Sequence, residues 1–219
     1  MQGRFFLEIK YKRLILDWGD DIVWLGCSDS RCPETTILGL QPGDVFVHRN
    51  IANIISPTDI NTAAVIEYAV AFLKVKHVVL CGHTACGGAA AALDDGRLGG
   101  VLDYWLTPLK AVRNANAEEL GRIRDDKERA IRIAEMNVEA GVKVLMANAT
   151  IAEHIRDRGL QVHGTIFDIA SGRIKDLGHG TVKPSKTAFG DFGAGEGEII
   201  RGKHATLVFR NDGAAMEAR

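Results

Sequence analysis

The chain predicts an α/β fold built on a mainly parallel central sheet flanked by helices, and three observations carry that prediction. Apolar runs of strand length alternate along the sequence with stretches that are apolar at helical spacing. The runs are continuous rather than alternating, as suits strands covered by helices on both faces. Residues able to bind a metal follow the first and third runs, and open α/β sheets hold their ligands beyond the carboxyl ends of the strands.

The first run, Ile22-Val23-Trp24-Leu25-Gly26-Cys27, reads as a strand, and residues 33–38 as a short helix with Pro33 at its first turn. Residues 44–48 read as the second strand. Residues 59–73 read as a helix, with Ala63, Ile66, Ala69, Val70 and Leu73 on one side. The third strand is expected over 77–81, followed by a small-residue helix over 84–93. The strongest helical signal covers 117–158, where Ile131, Ala134, Val138, Val142 and Leu145 recur three or four apart. Gly141 and Thr150 are its expected breaks and Gly159 its stop. A fourth strand is expected over 160–168, with a turn at Ser171-Gly172. Five glycines between 180 and 197 indicate a surface loop, and 205–209 a further strand, set to pack against a partner subunit. The expected organisation is one domain over 1–219. Within it, 1–21 form a short N-terminal segment and 180–219 a glycine-rich loop with a strand extension.

At 219 residues the chain is long enough to bury a core without staples. A net charge of −1 gives no electrostatic case for nucleic acid or an anionic membrane as partner. No apolar run approaches the roughly 20 residues of a membrane-spanning helix. The somewhat basic N-terminus lacks a signal-peptide core and is read as mature chain. Four cysteines make no disulfide framework, so a reduced intracellular compartment is expected, cytoplasmic with a mitochondrial location left open.

Two motifs carry the chemistry: Cys27-Ser28-Asp29-Ser30-Arg31 and His83-Thr84-Ala85-Cys86. Their two thiols, imidazole and carboxylate are a ligand set for zinc. His83 and Cys86, three apart at an expected helix start, would share a face, where the helix terminus favours a thiolate. Asp29 has two readings. As a fourth ligand, alongside Cys27, His83 and Cys86, it would close the site. Paired with Arg31 it would leave a coordination position for a water that ionises near neutral pH, giving a zinc-bound hydroxide. Each motif alone is weak and compatible with buried cysteines, a core histidine and a surface ion pair. Their shared position at strand ends is what favours a site. Cys81 reads as a core thiol and Cys32 as a thiol near the site. His48 reads as a structural hydrogen-bonding residue, and the other histidines mostly as surface or strand-end residues.

These motifs resemble those of the β-class carbonic anhydrases, in wording closest to fungal members. The likeness runs over about 22–178 and includes Gly26-Cys27-Ser28-Asp29-Ser30-Arg31, Gln41-Pro42-Gly43-Asp44-Val45-Phe46-Val47-His48-Arg49-Asn50, Ile66-Glu67-Tyr68-Ala69-Val70 and Gly82-His83-Thr84-Ala85-Cys86-Gly87-Gly88. The resemblance implies Zn²⁺ on Cys27, His83 and Cys86, with Asp29 and Arg31 as a catalytic dyad. It implies a homodimer or higher homo-oligomer in which Phe46 and Tyr68 line an apolar cleft for CO₂ at the subunit interface. Gly87 is expected to offer its N–H to a substrate oxygen. The implied function is reversible hydration of CO₂ to bicarbonate and a proton. The alternatives are CS₂ or COS hydrolysis at the same site, or a zinc-stabilised interaction protein of weak activity. Many members carry a Gly-Gln segment before the first strand that helps form the substrate pocket; residues 16–21 here contain no glutamine. Trp24 and Arg49 match two of three residues of a regulatory bicarbonate site in some bacterial relatives, but the third position is Phe167. Core and interface roles are therefore expected for that pair.

Overall fold

Ile22–Cys27 forms β1, and all six residues are buried, which only a strand covered on both faces allows. The computed structural model describes residues 21–41, 43–181, 198–201, 205–210 and 213–218. The N-terminal segment up to residue 20, including most of the stretch lacking the glutamine, lies outside the described residues, as does most of the expected glycine-rich loop. After β1 come α1 (Glu34–Leu38), β2 (Phe46–Asn50), α2 (Ile60–Glu67), β3 (His77–His83) and α3 (Gly87–Leu93). Then follow α4 (Val101–Trp105), α5 (Thr107–Ala115), α6 (Ala117–Arg122), α7 (Asp126–Ala147), α8 (Ala149–Arg158), β4 (Gln161–Asp168) and β5 (Arg173–Gly180). Five strands form one sheet in the order β2-β1-β3-β4-β5, parallel except for β5. The predicted α/β class with a mainly parallel sheet is the one observed.

The strand period of two sorts the apolar runs into two layers. Val23, Leu25, Val78 and Leu80 pack with Val138, Val142 and Leu145 of α7 and Ile66 of α2. Ile22, Trp24, Val79 and Cys81 face the other way, onto Cys32, Leu38 and Leu40. Each fully buried aliphatic side chain in these layers contributes roughly 1.5–3 kcal/mol. Gly141 sits in the middle of α7 because the helix runs so close to the sheet: a Cβ there would lie 2.6 Å from Leu80 Cδ2. It is a close-approach residue and not the expected break.

The helical signal over 117–158 is three helices. The real breaks are residues 123–125, where Asp125 accepts from Glu128 N–H to start α7, and Asn148, which ends α7 and accepts a hydrogen bond from Ile151 N–H to start α8. Gly159 stops α8 at φ 72°, as expected. The helix expected over 59–73 is regular only to Glu67 and continues as a π turn over Tyr68–Phe72. Pro33 precedes α1 as its cap residue rather than entering its first turn. The turn at Ser171-Gly172 is present, but β5 beyond it was not expected from sequence: its core side chains are diluted by Arg173, Lys175, Asp176 and Gly178. The expected strand near 205 is Ala205–Arg210 (β7), the middle of an antiparallel sheet with β6 (Glu198–Arg201) and β8 (Gly213–Ala218). In this chain β8 lies against β5.

His77 begins β3, a strand-end place as expected, whereas His163 lies inside β4, and both are buried. His77 Nδ1 and His163 Nε2 are 3.2 Å apart. Burial, with a contribution from the neighbouring His77, holds His163 down to about 3. An unfolded histidine titrates near ~6.5. Between those values the unfolded chain takes up a proton that folded His163 refuses. Its contribution to stability is therefore complete above ~6.5 and declines as the pH falls, by at most about 1.4 kcal/mol per unit. Urea midpoints measured from pH 7 to pH 4 should fall more steeply for the wild type than for His163→Gln; equal slopes would refute the assignment.

Candidate active site

In the order β2-β1-β3, the chain passes from β1 to one neighbour and later crosses to the other side. The carboxyl ends of β1 and β3 therefore flank the switch point where open sheets bind ligands. Cys27 is the last residue of β1 and His83 the last of β3. The expected helix start at Thr84 is corrected: residues 84–86 form a turn and α3 opens at Gly87, with Cys86 as its cap residue. His83 and Cys86 are thus brought together by a turn and not by a helical face. Ala85 makes that turn at φ 55°, in the left-handed region, at a cost of about 1 kcal/mol or more. Gly88 lets α3 start against the β2 end, since a Cβ there would lie 2.8 Å from Ala52 Cβ.

The donor atoms of Cys27, His83 and Cys86 all lie within 4.8 Å of one another, and all three residues are buried, so the group could hold a metal ion. His83 Nδ1 donates to the carbonyl of Thr84 at 2.9 Å, which leaves Nε2 as the bare nitrogen. That Nε2 is buried and has no hydrogen-bond partner. A buried lone pair without a donor calls for a partner, and here two thiols within 4.8 Å make a metal ion a fitting one. The thiols agree. The hydrogen bond from Cys86, with help from His83, draws Cys27 down to about 4 against the effect of burial. The reciprocal bond to Cys27, together with burial, pushes Cys86 up, although the amides of Ala89 and Gly88 work in the other direction. Burial opposes protonation of His83, yet the adjacent Cys27 sulfur, with the Thr84 carbonyl and Asp29, carries its pKa above the usual value. One proton leaves the dithiol easily and the second needs a cation to replace it. Two thiolates and an imidazole suit a metal of borderline softness.

Asp29 stands beside this group, with Oδ2 4.0 Å from His83 Nε2. Arg31 holds both carboxylate oxygens, Nε to Oδ1 at 2.9 Å and Nη2 to Oδ2 at 2.6 Å, and its own backbone N–H adds a third bond at 2.9 Å. That fork of donors keeps Asp29 ionised, well below the usual carboxylate range. Arg31 Nη2 also donates to the carbonyl of Ala85 at 3.0 Å, so one guanidinium ties the Cys27 loop to the His83–Cys86 turn. Arg49, expected to be an interface residue, belongs to the same scaffold. Its Nε donates to the Cys27 carbonyl at 2.8 Å and its Nη2 to the Asp29 carbonyl. The sequence signal for it was its place at the carboxyl end of β2.

Within one chain, the residues expected to line the substrate cleft at the subunit interface stand apart from this group. Phe46, Tyr68 and Phe72 form a row of rings with centroids 5.7 and 5.8 Å apart. Phe46 pairs with Val23, whereas Asn50 pairs with Cys27, so the row lies about 13 Å along the strand from the metal group. Tyr68 and Phe72 are exposed. Gly87 is exposed at the start of α3, where leading amides have no intrahelical acceptor. Burial pushes Cys32 up to about 11 and Cys81 up to about 12, which makes both poor nucleophiles. His48 hydrogen-bonds Thr62 at 3.0 Å, a structural role as expected. Trp24 is core. A cleft of about 360 Å³ beside Ile66, Leu145 and Asn148 shares none of the metal-group residues.

A mainly parallel α/β sheet with a Cys₂His donor group at its switch point defines an open-sheet protein with a group that could hold a metal ion. A family profile for carbonic anhydrase matches residues 22–174. A carbonic anhydrase of Emericella nidulans is 41% identical over 168 residues, which is 76% of this chain and 73% of that protein. One of Candida albicans is 40% identical over 71% of this chain, spanning 55% of its own length. Among solved structures, the fold matches a tetrameric β-carbonic anhydrase of Sordaria macrospora at TM-score 0.77 and 72% identity, covering 78% of this chain and 87% of that one. It matches a β-carbonic anhydrase of Aspergillus fumigatus at TM-score 0.74 and 51% identity, covering 78% and 82%. The chain belongs to the carbonic anhydrase family, in its β class.

Proposed function

We propose that this protein hydrates CO₂ reversibly to bicarbonate and a proton at a zinc ion held by Cys27, His83 and Cys86. The observation that carries the reading is the buried, unpartnered His83 Nε2 facing two thiols that readily give up one proton between them. Zinc bound there would act as a Lewis acid and make water a nucleophile near neutral pH. Asp29, ionised and held by Arg31, can only accept hydrogen bonds. It therefore holds the proton of the attacking oxygen at its carboxylate and orients a lone pair toward CO₂. Arg31 fixes that carboxylate, and Arg49 holds the loop beneath it. The Gly87 amide donates to a substrate oxygen.

CO₂ itself is apolar and needs an apolar wall. Phe46 and Tyr68 supply it across an interface between copies of this chain, since within one copy they stand too far from the metal group. The exposure of Tyr68 and its neighbour Phe72 and the tetrameric state of the Sordaria protein support a homodimer or a higher assembly. Four free cysteines suit a reducing compartment, and among the described residues no helix is long and apolar enough to cross a membrane.

Stopped-flow hydration of CO₂ by the zinc-loaded protein tests the reading, with sulfide release from CS₂ and COS measured in parallel. Hydration that tracks zinc content is the expected result. A fully metallated protein inactive on CO₂ from neutral to alkaline pH overturns it. Sulfide release in that case would assign the site to the other linear substrates.

A further inference from the structure

The hydrogen bond that orients His83 is itself held in place from another strand. Thr84 O accepts from His83 Nδ1 at 2.9 Å. A carbonyl oxygen only accepts, so this bond places the proton on Nδ1 and leaves Nε2 bare. The Thr84 carbonyl points there because the rest of Thr84 is anchored to the end of β4, which pairs with β3 up to His83↔Phe167. The Thr84 N–H donates to the Phe167 carbonyl at 2.9 Å. The hydroxyl donates to Asp168 Oδ1 at 2.9 Å and accepts from the Ile169 N–H at 3.0 Å. Asp168 is braced in turn by the amides of Ala170 and Ser171, at 3.3 and 3.1 Å. These anchors lie on the opposite side of β3 from the Cys27 loop and touch none of the three donor atoms.

We propose that Asp168 and Thr84 are positioning residues for the metal centre: through the Thr84 peptide they set the ring orientation and tautomer of His83. The inference rests on the metal-centre reading and adds a second support to it, independent of Arg31 and Arg49. A ring that is 1% exposed has no solvent to reorient in, so the tautomer follows whichever partner Nδ1 is given. Without the hydroxyl anchor, the Thr84 peptide is held by its N–H alone.

The test measures Zn²⁺ affinity by chelator competition and the visible spectrum of the Co²⁺-substituted protein. The proteins are wild type, Thr84→Val, Thr84→Ser, Asp168→Ala and a control, Gly172→Ala. The control puts a Cβ at φ 71° in the turn next to Asp168 and so weakens that turn without removing a Thr84 bond. Thr84→Val and Asp168→Ala should each bind Zn²⁺ about 10–100-fold more weakly and alter the cobalt bands. Thr84→Ser should restore affinity to within about threefold of wild type, and Gly172→Ala should lower thermal stability while keeping wild-type affinity. Should Thr84→Val fail to fold, Asp168→Ala carries the same comparison. Wild-type affinity and an unchanged cobalt spectrum in the Thr84→Val and Asp168→Ala proteins overturn the proposal. So does an affinity loss that Gly172→Ala reproduces. Failure of the wild type to bind Zn²⁺ at one ion per chain would instead overturn the metal-centre reading, and this inference with it.

Discussion

Cys86→Ala should lose tight zinc binding while the polypeptide still folds. Cys86 is 4% exposed at the head of α3, where the amides of Gly88 and Ala89 point at its sulfur. Alanine fits the same space and leaves the neighbouring Ala89 and Ala92 contacts in place, so the metal-free protein should unfold within about 1 kcal/mol of the metal-free wild type. What is lost is one of three strong donors and the partner that draws Cys27 down to about 4. Loss of a direct ligand should exceed the ~100-fold upper end seen when only a supporting group is removed. Because a ligand stabilises only the state that binds it, the wild-type melting temperature should rise with added zinc and that of the variant should not. Metal analysis after dialysis against a chelator, together with melting curves at several zinc concentrations, checks both parts. A variant that keeps one zinc per chain at wild-type affinity would exclude Cys86 as a ligand.

Asp29→Ala should do the opposite, keeping the metal and losing the reaction. The three donor atoms do not depend on this carboxylate, whose oxygens are both engaged by Arg31. Under the proposed function Asp29 holds the proton of the attacking oxygen, a role of the acid–base kind worth typically ~10²–10⁴ in rate. Stopped-flow hydration should fall by about that factor at unchanged zinc content. Asp29→Asn should fall as well, because an amide puts a donor where Arg31 already donates. Normal turnover in Asp29→Ala would remove the residue from the reaction. Loss of zinc in parallel with loss of activity would mean that Asp29 is a ligand and that the site closes around it. The two variants together separate holding the metal from using it.

Much of this architecture was legible because local rules and the tertiary fold agree. Unbroken apolar runs marked β1 and β3, since a strand covered on both faces has no polar side to show. Gly159 marked the end of α8 because a left-handed cap suits glycine. Where sequence reading failed, a contact from elsewhere had overridden a local preference. Gly141 looked like a helix break but faces Leu80, while the true breaks are marked by capping side chains, Asp125 and Asn148. β5 hid behind its charges because Arg173, Lys175 and Asp176 interrupt its apolar residues and none of its positions is fully buried. The π turn at Tyr68 has no composition of its own, and it ends in the exposed row of rings.

Sequence by itself determined the sheet class, the two motifs, and their place at strand ends, because these follow from the order and chemistry of residues close together in the chain. Only the tertiary structure decided how the motifs meet. The order β2-β1-β3 sets Cys27 and His83 side by side at the switch point. A strained turn at Ala85, rather than a helical face, delivers Cys86. Arg49 from β2 and Asp168 from β4 hold the loops from either side. The separation of Phe46 and Tyr68 from the metal group is likewise set by strand register. These are relations between backbone carbonyls, amides and side chains up to 85 positions apart, and no local pattern of residue types encodes a distance of that kind.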